Sequence, residues 1–216
     1  MSRALLLNFS PHGKAARAYR LAAEVLRDWP DIGTVIDRQL GGEPLSALTC
    51  DYATAVTSVA GMDNVAIHAS ERQIVELESS DLLVLCTPLH NFTLPAAMKL
   101  WIDQVVRIQR SFGVNSAGEK VGLLKDRPTF VLVSSGGFIL GEQARQPDFL
   151  TPYLKAILSC IGIQQLTFIY LQGSVRGGEA IERGVMAARE ALLRGLAGTV
   201  GRRSIAGDEA CGSCLA

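Results

Sequence analysis

Residues 81–110 read DLLVLCTPLHNFTLPAAMKLWIDQVVRIQR, a buried strand, a stiff loop and an amphipathic helix in immediate succession. Asp81–Thr87 is apolar without alternation, as expected of a strand covered on both faces in a parallel sheet. The loop Thr87-Pro88-Leu89-His90-Asn91-Phe92-Thr93-Leu94-Pro95 is bracketed by two prolines. Each proline fixes its own φ and restricts the residue before it. Pro95 then opens a helix, where a missing N–H costs nothing. Ala97, Met98, Trp101, Ile102, Val105 and Ile108 recur at the spacing of one helix face, which predicts a helix over 95–110. Lys99, Asp103 and Arg107 lie opposite as successive i,i+4 partners.

The same unit repeats outward in both directions. Arg3–Phe9 reads as a buried strand, and Ala18, Leu21, Ala22, Val25, Leu26 and Trp29 mark a helix over 14–29 that Pro30 stops. Thr34–Leu40 is a second strand, 41–66 is poorly patterned, and 68–80 is a helix with Ile74 and Leu77 inward. A Gly- and Ser-containing loop runs from Phe112 to about Asp126. The strand Pro128–Ser134 ends at Gly136-Gly137, a helix covers 149–161, and a strand covers 164–170. A closing helix over 178–196 carries Ile181, Val185, Ala188, Leu192 and Leu196 in register. Five strands alternating with five helices imply one doubly wound α/β domain, residues 1–197, around a five-stranded parallel sheet. A flexible C-terminal tail is expected over 198–216.

With 216 residues, 48% hydrophobic and 19% charged, the chain can build a sizeable core. Twenty-one basic residues balance 21 acidic ones, which leaves no electrostatic footprint for nucleic acid or an anionic membrane. Its longest apolar runs are strand-sized and too short to span a bilayer. The apolar stretch at the N-terminus is too short for a signal-peptide core, so a cytoplasmic protein is expected. Cys50, Cys86 and Cys160 lack paired spacing and read as reduced thiols. Cys211 and Cys214 form a C-x-x-C pair in the tail, where a zinc site would need two more ligands; no metal is expected.

Doubly wound sheets bind ligands beyond the carboxyl ends of their strands, and three loops fall there. Ser10–Arg17 runs into a helix N-terminus, where free amides and the macrodipole favour an anion. Ser10 adds a hydroxyl, Gly13 a tight turn, and Lys14 and Arg17 positive charge. Neither G-x-G-x-x-G nor a Walker A pattern is present, and an ordinary strand-to-helix turn fits the residues as well. Thr87–Leu94 is suited to hold a planar ring, with Asn91 able to donate and accept and with Leu89 and Phe92 as apolar walls. His90 reads either as a proton or hydrogen-bond donor or as an exposed loop histidine. Gly136-Gly137, beside Ser134 and Ser135, marks close backbone approach or positive φ.

Thr87–Arg110 closely resembles the signature of the FMN-dependent NADH azoreductases, the flavodoxin-like NAD(P)H quinone reductases. Ser10-Pro11-His12-Gly13, Val133–Gly137, Tyr153-Leu154 and Ile161-Gly162-Ile163 follow in the family's order, so the resemblance covers about residues 3–196. It implies a flavodoxin-like fold with FMN as cofactor and NADH or NADPH as electron donor. It implies too that Ser10 and the first helical turn hold the phosphate, with Leu89–Phe92 after Pro88 on the ring. Ser134, Ser135, Gly136 and Gly137 would close over the ring's pyrimidine edge, Phe112 would cap the pocket, and the helix after Pro88 would pair in a homodimer through Leu100 and Val106. The implied activity is a ping-pong relay of two electrons from nicotinamide through FMN to a quinone or azo compound. Ala16 and Ala18 stand where the family usually carries hydroxyl residues on either side of Arg17, and Ser135 stands where relatives often have arginine. The alternative is a flavodoxin-like flavin-binding or electron-carrier protein without turnover of its own.

Overall fold

The computed structural model describes residues 1–43, 45–57, 64–174 and 177–209. In chain order the elements are β1 (Ser2–Asn8), α1 (Arg17–Asp28), β2 (Ile32–Arg38), α2 (Cys50–Thr57) and α3 (His68–Glu78). They continue with β3 (Leu82–Pro88), α4 (Ala96–Val105), β4 (Phe112–Val114), β5 (Lys120–Gly122), β6 (Thr129–Ser134), α5 (Leu150–Cys160), β7 (Leu166–Leu171) and α6 (Gly178–Glu209). Five parallel strands form the main sheet in the order β2-β1-β3-β6-β7. Numbered along the sheet's own strands this is 2-1-3-4-5, the flavodoxin-like order, with its switch point between β1 and β3.

Side chains that point to opposite faces along each strand split the core in two. Leu5, Leu7, Phe9, Leu83, Leu85, Val131 and Val133 pack with α3, α4 and α5. Ala4, Leu6, Leu82, Val84, Cys86, Phe130 and Leu132 pack with α1 and α6. That double cover is why β1, β3 and β6 are apolar throughout. The edge strand β2 is half open to solvent and correspondingly mixed in composition. Phe9 crosses Trp101 of α4 at a ring distance of 5.7 Å and anchors the first loop against that helix.

The expected elements are present, with five differences. One is that α6, uninterrupted by proline, continues to Glu209, so 198–209 are helical where a flexible tail was expected, and 210–216 lie outside the described residues. Residues 13–15 form a separate turn of 3₁₀ helix, so α1 starts at Arg17 rather than at 14. The stretch 41–66 contains α2, which buries only Tyr52 and Ala55 and therefore leaves a faint pattern. Phe112–Asp126 holds the antiparallel hairpin β4–β5. Finally, α4 ends at Val105, because Val106 leaves helical geometry and the next residues are drawn to α3. Arg107 bonds Glu71 and the Ser70 hydroxyl (3.0 Å), while Arg110 forks onto Glu78 at 2.6 and 2.7 Å. Lys99 does pair with Asp103, but Arg107 pairs with Glu71 instead of Asp103, and Ile108 is exposed rather than on the core stripe.

No helix among the described residues is long and apolar enough to cross a membrane. Cys50, Cys86 and Cys160 are free thiols, and Cys211 and Cys214 lie outside the described residues.

Candidate functional site

A cleft of about 500 Å³ opens at the carboxyl ends of β1, β3 and β6, within the range of about 300–1,000 Å³ usual for small-molecule sites. Of the residues singled out from sequence, Ser10, Ala16, Arg17, Pro88, Leu89, His90, Ser134, Ser135 and Gly136 line it. His12 and Ala15, inside the expected Ser10–Arg17 loop, line it as well, as do Leu171 and Ser174, which had no sequence signal because only their place in the fold brings them there. Ala18, Asn91, Phe92, Gly137 and Phe112 are not in the lining. Ala18 is 2% exposed and packs into the α1 side of the core, so it can meet a ligand only through its backbone N–H. Phe112 sits in β4 with the Lys120 ammonium 5.2 Å from its ring centre.

The anion end of the cleft comes from the β1–α1 connection. Ser10 accepts the Gly13 N–H on its carbonyl at 3.0 Å and the His12 N–H on its hydroxyl oxygen at 3.3 Å. Gly13 takes a φ of 52°, which glycine adopts without steric cost. Ala16 is the N-cap residue and makes no side-chain cap. The first intrahelical bond is Arg20 N–H to Ala16 C=O, so the N–H groups of Arg17, Ala18 and Tyr19 have no helical acceptor. No carboxylate lines the cleft, and exposed Arg17 adds a cation. Such an end is built for a phosphate-like group.

A partly buried set of polar side chains holds this turn from below. Asn8, wholly buried at the end of β1, donates to the Gly13 carbonyl (2.8 Å) and to Gln39 Oε1 (2.9 Å) and accepts from Ser10 N–H (3.2 Å). Gln39 in turn donates to Asp37 at 2.7 Å, and the Tyr19 hydroxyl donates to the other Asp37 oxygen at 2.5 Å. Burial and that bond push the Tyr19 phenol up to about 12, so it stays a donor.

The wall formed by the loop after β3 is stiff for a reason beyond its prolines. His90 and Thr93 exchange both backbone hydrogen bonds at 2.9 Å, closing a two-residue turn over Asn91 and Phe92 with φ of 47° and 69°. Positive φ at both central positions defines a type I′ turn. Asparagine tolerates it, whereas phenylalanine there costs about 1–2 kcal/mol. Strain of this kind persists where surrounding structure enforces it, commonly at functional sites. Here Phe149 N–H holds the Phe92 carbonyl (3.0 Å) and Ser134 C=O holds Leu89 N–H (2.8 Å). Phe92 is left 46% exposed at the rim.

On the third side, Ser135 bonds Leu171 and Ser174 across β6 and β7, and Gly173 N–H bonds Gly137 C=O. Gly137 has no positive φ, and a Cβ there would meet only the Gln146 side chain, whose amide can swing aside, so the structure does not require glycine for either reason expected. Cys86 lies under the cleft in β3, but burial pushes its thiol well up, so it offers no nucleophile.

The family model described as a flavodoxin-like fold matches residues 2–196. A Pseudomonas fluorescens protein named FMN-dependent NADH:quinone oxidoreductase 4 is 50% identical, with 89% of this chain and 94% of that protein covered. A Burkholderia lata protein named FMN-dependent NADH:quinone oxidoreductase 5 is 45% identical, covering 90% and 97%. An FMN-dependent NADH-azoreductase of Bacillus anthracis, solved in complex with FMN, superposes with a TM-score of 0.72 at 20% identity, over 90% of this chain and 99% of that one. The uncapped helix end, the stiff loop after β3 and these relatives agree, and the chain belongs to the flavodoxin-like family that contains the FMN-dependent NADH:quinone oxidoreductases.

Proposed function

We propose that the cleft holds FMN, with its phosphate on the turn after β1 and its ring against the loop after β3, and that the protein passes electrons from NADH to quinones and aromatic azo compounds. The observation that carries this reading is the uncapped N-terminus of α1, opening onto a cleft with no carboxylate in its lining. The residues fit the group: Ser10 and the N–H groups of Arg17, Ala18 and Tyr19 would hold the phosphate, and Arg17 would add charge. Leu89 and the Asn91-Phe92 turn would set the ring's plane. Backbone N–H groups of Asn91 and Gly136, which have no partner among the described residues, would stabilise negative charge on the ring. Bound there, FMN supplies a two-electron carrier that no side chain of the cleft provides. His90, exposed at the rim, would donate a proton or hydrogen bond to the acceptor.

Donor and acceptor would occupy one face in turn, giving parallel lines in double-reciprocal plots. We also infer a homodimer, supported by exposed Ile108, Val114, Val121 and Leu123 on the hairpin and the end of the α4 connection; of the two residues expected to pair, Leu100 is half-buried and Val106 packs against the chain's own core. Sedimentation at monomer mass would remove that part of the reading. The activity is tested by purifying the protein, reconstituting it with FMN, and adding NADH with and without a benzoquinone. Bleaching by NADH and recovery of the yellow colour on adding quinone are expected. A protein that takes up no FMN overturns the proposal, and a yellow protein untouched by NADH would instead be an electron carrier.

Ala16→Ser should tighten FMN binding about ten- to hundredfold, the worth of one hydrogen bond to a charged group at roughly 1.5–3 kcal/mol. It should also raise the melting temperature of the FMN-free protein, because serine caps a helix better than alanine by about 0.5–2 kcal/mol. Titration of FMN fluorescence and a thermal melt check the two effects, and an unchanged dissociation constant would show that Ala16 does not face the phosphate.

A further inference from the structure

We propose that Asp37 is a positioning residue for the phosphate end of the cleft, acting through Gln39 and Asn8 without touching the ligand. The inference depends on the FMN reading above. Three polar side chains link β2 to the turn: Asp37 accepts from Gln39 (2.7 Å), Gln39 accepts from Asn8 (2.9 Å), and Asn8 grips Gly13 C=O and Ser10 N–H (2.8 and 3.2 Å). An amide can sit either way round, and its two ends look alike in shape. A carboxylate can only accept. Asp37 therefore forces the NH₂ end of Gln39 toward itself and the carbonyl end toward Asn8. That in turn forces the Asn8 NH₂ toward Gln39 and Gly13, leaving Asn8 Oδ1 to receive Ser10 N–H. The carboxylate at one end and the Gly13 carbonyl and Ser10 N–H at the other thus agree on the direction of every bond between them, and a group at 37 that reverses the first bond conflicts with the last.

The same carboxylate reaches the other half of the anion site. Its second oxygen accepts from Tyr19 (2.5 Å), in the first turn of α1. Asp37 therefore fixes the Ser10–Gly13 turn and the helix N-terminus relative to each other, which is the geometry a phosphate needs from them. With asparagine at 37, one of its two partners loses an acceptor or the Gln39 amide turns over. In the second case, Asn8 meets NH₂ with NH₂ while it is wholly buried.

The test compares FMN with riboflavin, which has the same ring and no phosphate. Dissociation constants for both are measured on the FMN-free parent, Asp37→Asn and Tyr19→Phe by fluorescence titration. We expect Asp37→Asn to weaken FMN about tenfold and to leave riboflavin unchanged, with Tyr19→Phe showing a smaller loss of the same kind. If Asp37→Asn does not fold, Gln39→Leu cuts the relay one link nearer the turn and should show the same selective loss. Equal losses for both ligands, or none, would overturn the proposal. A parent that binds neither ligand would instead bring down the FMN reading, so the two failures are distinguishable.

Discussion

Replacing Gly41 by alanine should weaken FMN binding by one to two orders of magnitude, although residue 41 does not line the cleft. Gly41 lies just past β2 and donates its N–H to the Asn8 carbonyl at 2.9 Å. A Cβ placed there would stand 2.2 Å from the Ser10 carbonyl oxygen, 2.4 Å from the Ser10 carbonyl carbon and 2.6 Å from that of Phe9. All three are backbone atoms, so no side-chain rotation relieves the overlap. Either the Gly41–Asn8 bond breaks or the Ser10 turn is pushed into the cleft. Overpacking of this kind costs about 1–3 kcal/mol, and each ~1.4 kcal/mol is tenfold in affinity. The melting temperature should fall as well, by roughly 2–4 °C per kcal/mol for a domain of this size. Gly42 is the control: its Cβ would come no closer than 3.9 Å to the Gln39 carbonyl, and Gly42→Ala should be within about 0.5 kcal/mol of neutral. If both variants bind FMN as the parent does, the close packing of the two loops has no part in shaping the site.

Neither Gly41 nor the Asp37 relay could be read from the sequence, and the reason is physical. What reads from sequence is what repeats along the chain. The apolar runs of β1, β3 and β6 and the stripes of α1, α4 and α6 state their own burial, and a doubly wound sheet then dictates which loops share an edge. That logic placed Ser10, Pro88–His90 and Ser134–Gly136 in one cleft. Gly41 matters because Ser10 comes to meet it, and Asp37 because Tyr19, Gln39 and Asn8 converge on it from other elements. Such pairings are tertiary and leave no local period. Phe92 illustrates a mixed case. Its place at the ring-side loop was legible from Pro88 and Pro95, but its left-handed backbone was not, since phenylalanine is a residue that normally avoids it. The early end of α4 has the same cause: Arg107 and Arg110 continue the helical pattern, but Glu71 and Glu78 on α3 offer them better partners.

A second large effect is expected at the far end of the sheet, and it separates folding from the site. Arg127, 4% exposed, precedes β6. Its guanidinium donates to the Leu77 and Ser80 carbonyls (2.7 Å to Ser80), to the Ser80 hydroxyl (3.2 Å), and twice to the Lys125 carbonyl (3.1 and 2.7 Å). Leu77 lies in the last turn of α3, where unpaired carbonyls and the helix dipole favour a cation. One planar fork therefore ties the end of α3 to the chain entering β6. Burial pulls its pKa down, against the pull of Asp81, Glu78 and Asp126, yet arginine keeps its proton. Arg127→Met preserves the apolar stem and removes every donor, leaving the buried Ser80 carbonyl and the half-buried Lys125 carbonyl without them. The expected loss is about 2–4 kcal/mol in urea unfolding, at roughly 1–3 kcal/mol per unmade buried bond. Arg127→Lys should recover no more than about half, because a single ammonium cannot serve both ends of the fork. FMN affinity in the folded fraction should not change, since β6 carries the site at its other end, about 20 Å away at 3.3 Å per residue. A methionine variant as stable as the parent, or a lysine variant equal to arginine, would show that the fork does not hold these elements together. Loss of FMN affinity in the folded variant would show that the sheet transmits the change to the cleft.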